Sequence, residues 1–154
     1  MDYRIEILDF EIEIVGLKQK VVTKEAFHRI PKLWEEANNT GLLQQIINMS
    51  WENPQCKLEG ILGVCGNQAA ITEEEFDYFM GCRYTGEFSS DMEKIIIPKS
   101  TWAVFPNIQD AWKRVYTEWL PNSGYMLAEL PSIENYLAPD RVPNNELWVP
   151  VVPK

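Results

Sequence analysis

The sequence predicts an α+β domain made of two β-α-β-β units, and three features of its 154 residues predict it. The hydrophobic period switches twice from strand-like alternation to helical spacing and back. The two helical stretches carry matching residues at one fixed offset. Each is followed by two further apolar runs bounded by Gly, Pro and Asn.

The first unit opens with alternation over residues 3–23. Ile5, Ile7, Ile12, Ile14, Val21 and Val22 supply the β-branched side chains of a strand, bent near Gly16. The period then lengthens. Phe27, Ile30, Leu33, Trp34 and Ala37 recur at threes and fours, which predicts a helix over about 24–38 with Thr23 as N-cap, Pro31 in its early turns and Gly41 as its stop. Residues 50–55 read as a polar connection. Apolar runs at 60–65 and 76–84 predict two antiparallel strands, separated by Gly66-Asn67-Gln68 and the acidic run Glu73-Glu74-Glu75.

The second unit restarts with a strand over 94–105. Ile108, Ala111, Trp112, Val115, Tyr116 and Trp119 then repeat at helical spacing until Pro121-Asn122-Ser123-Gly124 ends the helix. Residues 125–136 and 146–152 are its two further strands, joined by a Pro- and Asp-containing loop. Phe27 and Phe105, Ile30 and Ile108, and Trp34 and Trp112 all lie 78 residues apart, as do Thr23 and Thr101, and Leu42 and Leu120. A shared offset that includes a Trp pair predicts a duplication inside one domain, residues 1–154, with one module over about 1–90 and the other over about 91–154.

Composition narrows the function. With 45% hydrophobic and 24% charged residues the chain is expected to bury an ordinary core. A net charge of −9 opposes phosphate binding, which needs a Lys or Arg for each neutralised phosphate, so direct nucleic-acid contact is not expected. No run of apolar residues is long enough for a membrane span or a signal peptide, and a cytoplasmic location is expected. Cys56, Cys65 and Cys82 are odd in number and show no CxxC spacing, which fits reduced thiols. His28 is the one histidine, so no His-rich metal site is expected. Gly60, Gly63 and Gly66 keep a three-residue rhythm without the Lys and the helix of a phosphate loop, and no cofactor is implied.

Strand parity adds one constraint. Asp77, Phe79 and Gly81 share one face of their strand, as Glu146, Trp148 and Pro150 share one face of theirs, so each puts an acid beside an aromatic. Pattern alone favours reading Glu134 and Glu146 as solvent-facing acids on half-exposed strands.

Three stretches resemble the GyrI-like small-molecule-binding domain, the effector domain of AraC- and MerR-type bacterial regulators that also occurs free-standing. They are Thr101-Trp102-Ala103-Val104-Phe105 leading into a helix, Pro131-Ser132-Ile133-Glu134-Asn135-Tyr136, and Glu146-Leu147-Trp148-Val149-Pro150-Val151. The resemblance implies a fold of duplicated β-α-β-β modules with pseudo-two-fold symmetry, in which an antiparallel sheet carries two helices flanking a ligand cleft. It implies a lipophilic, cationic aromatic ligand, with Glu134 and Tyr136 on one cleft-lining strand and Glu146 and Trp148 on the next. Trp102 and Phe105 near the second strand–helix junction, Trp112 and Trp34 on the helices, and Phe79 with Tyr78 on the symmetry-related side complete the expected aromatic box. Two other activities remain open at this point. One is hydrolysis of reactive cyclopropane-bearing natural products with Glu146 as general base, and the other is a gyrase-inhibitor-like contact with a protein partner in transcription or DNA topology.

Overall fold

A computed structural model of the chain describes residues 1–52, 57–66 and 74–154. Cys56, the Asn67-Gln68 turn, the end of the 50–55 connection and Glu73 lie outside the described residues. The described strands are β1 (Arg4–Leu8), β2 (Ile12–Val22), β3 (Ile61–Cys65), β4 (Glu75–Arg83), β5 (Glu93–Ile97), β6 (Ser100–Pro106), β7 (Tyr125–Leu127), β8 (Ser132–Tyr136) and β9 (Asn145–Pro153). The helices are α1 (Ala26–Thr40), α2 (Leu42–Glu52) and α3 (Ile108–Arg114). α3 continues through a π turn at Val115–Trp119 into a 3₁₀ turn at Leu120–Asn122.

All strand pairings are antiparallel, in the order β1-β6-β9-β8-β3-β4-β2-β5, with β7 added beside β9. The order forces the sheet to curl. β1 lies at one end of the series, yet three residues join it to β2 near the other end. β5 lies at that other end, and two residues join it to β6 beside β1. An extended chain advances about 3.5 Å per residue, so these links span at most about 14 Å and about 11 Å. Both ends of the sheet therefore meet along one seam, and the strands form an incomplete barrel.

The barrel's inside is filled by its own side chains. Leu8, Ile12, Ile14, Leu62, Val64, Phe79, Ile97, Trp102, Val104, Ile133 and Trp148 pack together there with no helix among them. A ring of about eight strands leaves an interior just wide enough for side chains, which is why no second layer is needed on this face. The second parity pair holds as a contact. Phe79 and Trp148 both point inward, and Glu146 sits beside Trp148 with the indole N–H 3.3 Å from its carboxylate.

The helices cover the outside in two patches. Ile46 and Met49 of α2 and Leu33 of α1 pack on Val15, Val21, Phe76, Tyr78, Met80 and Cys82. Ile108 and Ala111 of α3, with Val115 and Trp119 after it, pack on Ala103, Phe105, Leu147, Val149 and Val151. Between the patches lies the outer face of the central pair, β3 and β8.

Local expectations need four corrections. The predicted 3–23 strand is two strands, because residues 9–11 carry the chain across the seam, and the predicted strands at 94–105 and 125–136 are likewise two each, broken at residues 98–99 and 128–131. Gly41 ends α1 in the left-handed region at φ 86°, as expected, but a second helix restarts at once, so α2 occupies most of the stretch read as unassigned chain and polar connection. The N-cap of α1 is Glu25, not Thr23, because a 3₁₀ turn at Thr23–Glu25 precedes the helix. Phe105 lies in β6 and is buried, whereas its offset partner Phe27 lies in α1 and is exposed, so the 78-residue match does not give them equivalent environments. Among the described residues no helix is long and apolar enough to cross a membrane.

Candidate functional site

The uncovered strip of β3 and β8 presents three cross-strand pairs outward: Cys65 opposite Ser132, Gly63 opposite Glu134, and Ile61 opposite Tyr136. α1 and α3 flank this strip and leave a half-open cavity of about 300 Å³ over it. Ile30 and Pro31 of α1, Phe76 of β4, and Ile108 and Trp112 of α3 form most of its wall, and Glu134 lies at its base.

Glu134 is 4% exposed and holds three hydrogen bonds. The Tyr78 hydroxyl donates to Oε1 at 2.6 Å, the Tyr136 hydroxyl to the same oxygen at 3.2 Å, and Trp112 Nε1 to Oε2 at 2.9 Å. Trp34 Nε1 in turn donates to the Tyr78 hydroxyl at 2.8 Å, and its ring meets those of Tyr78 and Tyr136 edge-on. The offset pair Trp34 and Trp112 thus delivers one N–H from each helix wall into the same network.

Gly63 makes the network possible. Tyr78 stands on β4 and Glu134 on β8, two strands apart with β3 between them, which is roughly 10 Å of backbone spacing. Their side chains meet above Gly63, where a Cβ would lie 2.1 Å from the Tyr78 hydroxyl and 2.7 Å from Glu134 Oε1.

Burial raises the Glu134 pKa above the ordinary carboxylate value, and its hydrogen bonds with Tyr78, Trp112 and Tyr136 offset only part of that rise. Among the described residues no Lys, Arg or His forms an ion pair with it. Burial first, and the charge of Glu134 second, push the Tyr78 and Tyr136 hydroxyls and the Cys65 thiol upward. Cys65, buried in the cavity wall, is thereby held as a neutral thiol. Replacing Trp112 by Phe keeps the ring but removes a hydrogen bond to a charged group, a contribution of about 1.5–3 kcal/mol. The Glu134 pKa is expected to move further up, which a carboxyl-carbon NMR titration would read.

The structure brings together Glu134, Tyr136, Trp112 and Trp34, and separates them from the other expected residues. β8 and β9 pair with Asn135 opposite Glu146 and Glu134 opposite Leu147, so Glu134 faces the cavity while Glu146 faces the barrel interior. Glu146 and Trp148 do not share a cleft with Glu134 and Tyr136. Arg4 grips both Glu146 oxygens, at 2.7 Å and 3.3 Å, and this contact raises the Arg4 pKa. Trp102 and Phe79 also point inward, and Phe105 lies under α3. Gly63 and Phe27 belong to the cavity or its network without a strong signal in the sequence, whereas Tyr78, expected beside Phe79, joins the network and Phe79 does not. The usable hint for Tyr78 is its parity with Phe76 and Met80, opposite to that of Phe79.

A curled antiparallel sheet whose two helical patches leave an apolar cavity over one buried carboxylate defines a small-molecule-binding domain. The chain belongs to the GyrI-like small molecule binding domain family, whose model matches residues 1–152. Solved structures that share the fold include the following three. SAV2435 bound to tetraphenylphosphonium has a TM-score of 0.74 and 21% identity, covering 99% of this chain and 94% of that one. A candidate bacterial transcription regulation protein from Staphylococcus aureus MU50 has a TM-score of 0.71 and 19% identity, covering 98% of both chains. An integron cassette protein from the mobile metagenome of Vibrio cholerae has a TM-score of 0.63 and 14% identity, covering 99% of this chain and 95% of that one. No curated protein matches the chain significantly.

Proposed function

We infer that the domain binds lipophilic aromatic cations in the cavity between α1 and α3, with Glu134 as the charge partner. The observation that carries this reading is a carboxylate buried at the base of an apolar cavity, oriented by three donors and lacking a cationic side chain among the described residues. A buried charge is costly unless an opposite charge compensates it, and here a ligand can supply that charge. The apolar wall disfavours a hydrated inorganic ion, because nothing there replaces its water. Aromatic faces at Trp112 and Tyr136 add cation–π attraction of about 0.5–2 kcal/mol each.

The tetraphenylphosphonium complex of SAV2435, which shares the fold, supports this ligand class. The likeness to a candidate transcription regulation protein supports a role in sensing an effector, with a separate partner carrying the response. Residues 1–154 act as one binding unit in this reading, each half giving one helix wall.

Protonation of Glu134 removes the charge a cation needs, and its pKa is raised by burial. Tetraphenylphosphonium affinity is therefore expected to be level in alkali and to fall as pH drops through the Glu134 pKa, by up to about tenfold per pH unit. The fall should begin above the range of an ordinary carboxylate. Calorimetric titrations between about pH 8 and pH 4.5 test this, and a flat affinity would refute the charge role of Glu134.

A further inference from the structure

The groove along β3 and β8 does not end at Tyr136. Past its ring lies a second cavity of about 440 Å³, between α2 and the chain that follows β8. Its floor is Ile61, and Ile47, Trp51, Leu137 and Pro139 enclose it. Tyr136, braced edge-on by Trp34, lines both cavities.

α2 builds this cavity deliberately. Ile46 and Met49 point into the core, while Ile47 and Trp51, one helical turn apart, point into the groove. The helix end is fixed by the Tyr84 hydroxyl donating to Glu52 at 2.7 Å. Trp51 is nevertheless 69% exposed, an indole left in water at the edge of the groove. Charge at the rim is cancelled, since Glu59 and Arg141 pair with each other. Among the described residues this cavity has no counterpart of Glu134.

We propose that this cavity is a second ligand subsite, which takes an uncharged planar aromatic group stacked on Trp51. Its volume suits a small ring system. Its apolar floor and neutral rim give no preference for charge. Because it shares Tyr136 with the Glu134 cavity, one two-armed ligand can fill both, or two ligands can be held side by side. The proposal rests on the reading of the Glu134 cavity only for that joint occupation.

The test uses two probes on the intact protein: neutral N-phenyl-1-naphthylamine, followed by its fluorescence, and tetraphenylphosphonium. Both are expected to bind at once. Trp51→Ala should weaken the naphthylamine by about tenfold and leave tetraphenylphosphonium within about twofold. Ala138→Trp, which fills the groove from its exposed side, should do the same, and Glu134→Gln should show the reverse pattern. If tetraphenylphosphonium fails to bind while the naphthylamine binds and depends on Trp51, the second subsite stands and the cation reading falls. One-for-one displacement of the naphthylamine by tetraphenylphosphonium, or naphthylamine affinity unchanged in both groove variants, would overturn the subsite.

Discussion

Glu134→Gln is expected to weaken tetraphenylphosphonium binding by roughly 30-fold or more and to leave a neutral analogue such as triphenylphosphine oxide within about threefold. Removing one member of a buried, hydrogen-bonded charge pair costs about 2–5 kcal/mol, and each 1.4 kcal/mol is about a factor of ten in affinity. The substitution preserves volume, so the apolar contacts a neutral ligand makes with Ile30, Phe76 and Ile108 persist. Parallel titrations of both compounds separate charge from shape. Equal losses for the two would mean that the variant had disturbed the cavity, and no loss for either would remove Glu134 from recognition.

The second large effect concerns the barrel. Gly16 of β2 pairs with Gly81 of β4, and a Cβ on Gly16 would lie 1.9 Å from the Met80 carbonyl oxygen and 2.6 Å from the Gly81 Cα. Both obstacles are backbone, which cannot rotate aside. Gly16→Ala is expected to destabilise the fold by on the order of 3 kcal/mol, the upper range for overpacking. For a chain of this size that lowers Tm by roughly 6–12 °C. Thermal unfolding monitored by circular dichroism would show it, and an unchanged Tm would mean that the two strands can part at this point without loss.

The sequence made the helical walls legible because Trp34 and Trp112 repeat at a shared offset, and the structure sends both into one network. It also carried the same-face relation of Glu146 to Trp148, which depends only on strand alternation. It could not show which face that was. Whether Glu146 joins Glu134 or opposes it depends on pairing Asn135 with Glu146, and that register follows from how the loop of residues 137–144 returns the chain from β8 into β9, which strand alternation does not specify. The same limit hid Gly63. A glycine in an apolar run looks like any weak point in a strand until Tyr78 and Glu134 are known to stand on either side of it. α2 escaped notice for a local reason, since Gly41 is a sound helix stop and nothing in a stop signal says that another helix follows immediately.

The seam also has a consequence for how the chain reaches its fold. β1 finds its partner in β6 and β5 finds its partner in β2, so each half lends the other a strand. Arg4 pairs with Val104 and Leu8 with Ser100, contacts that close loops of nearly a hundred residues. Such non-local pairing slows folding, because the entropy of closing the loop is lost before the contacts form. During synthesis the opening strand must wait unpaired until the second half has emerged, and the barrel interior, with Trp102 and Trp148 in it, can form only then. The proposed binding groove lies on β3 and β8, the strands that join the halves, so a ligand that fits it would select chains whose two halves have already closed on each other.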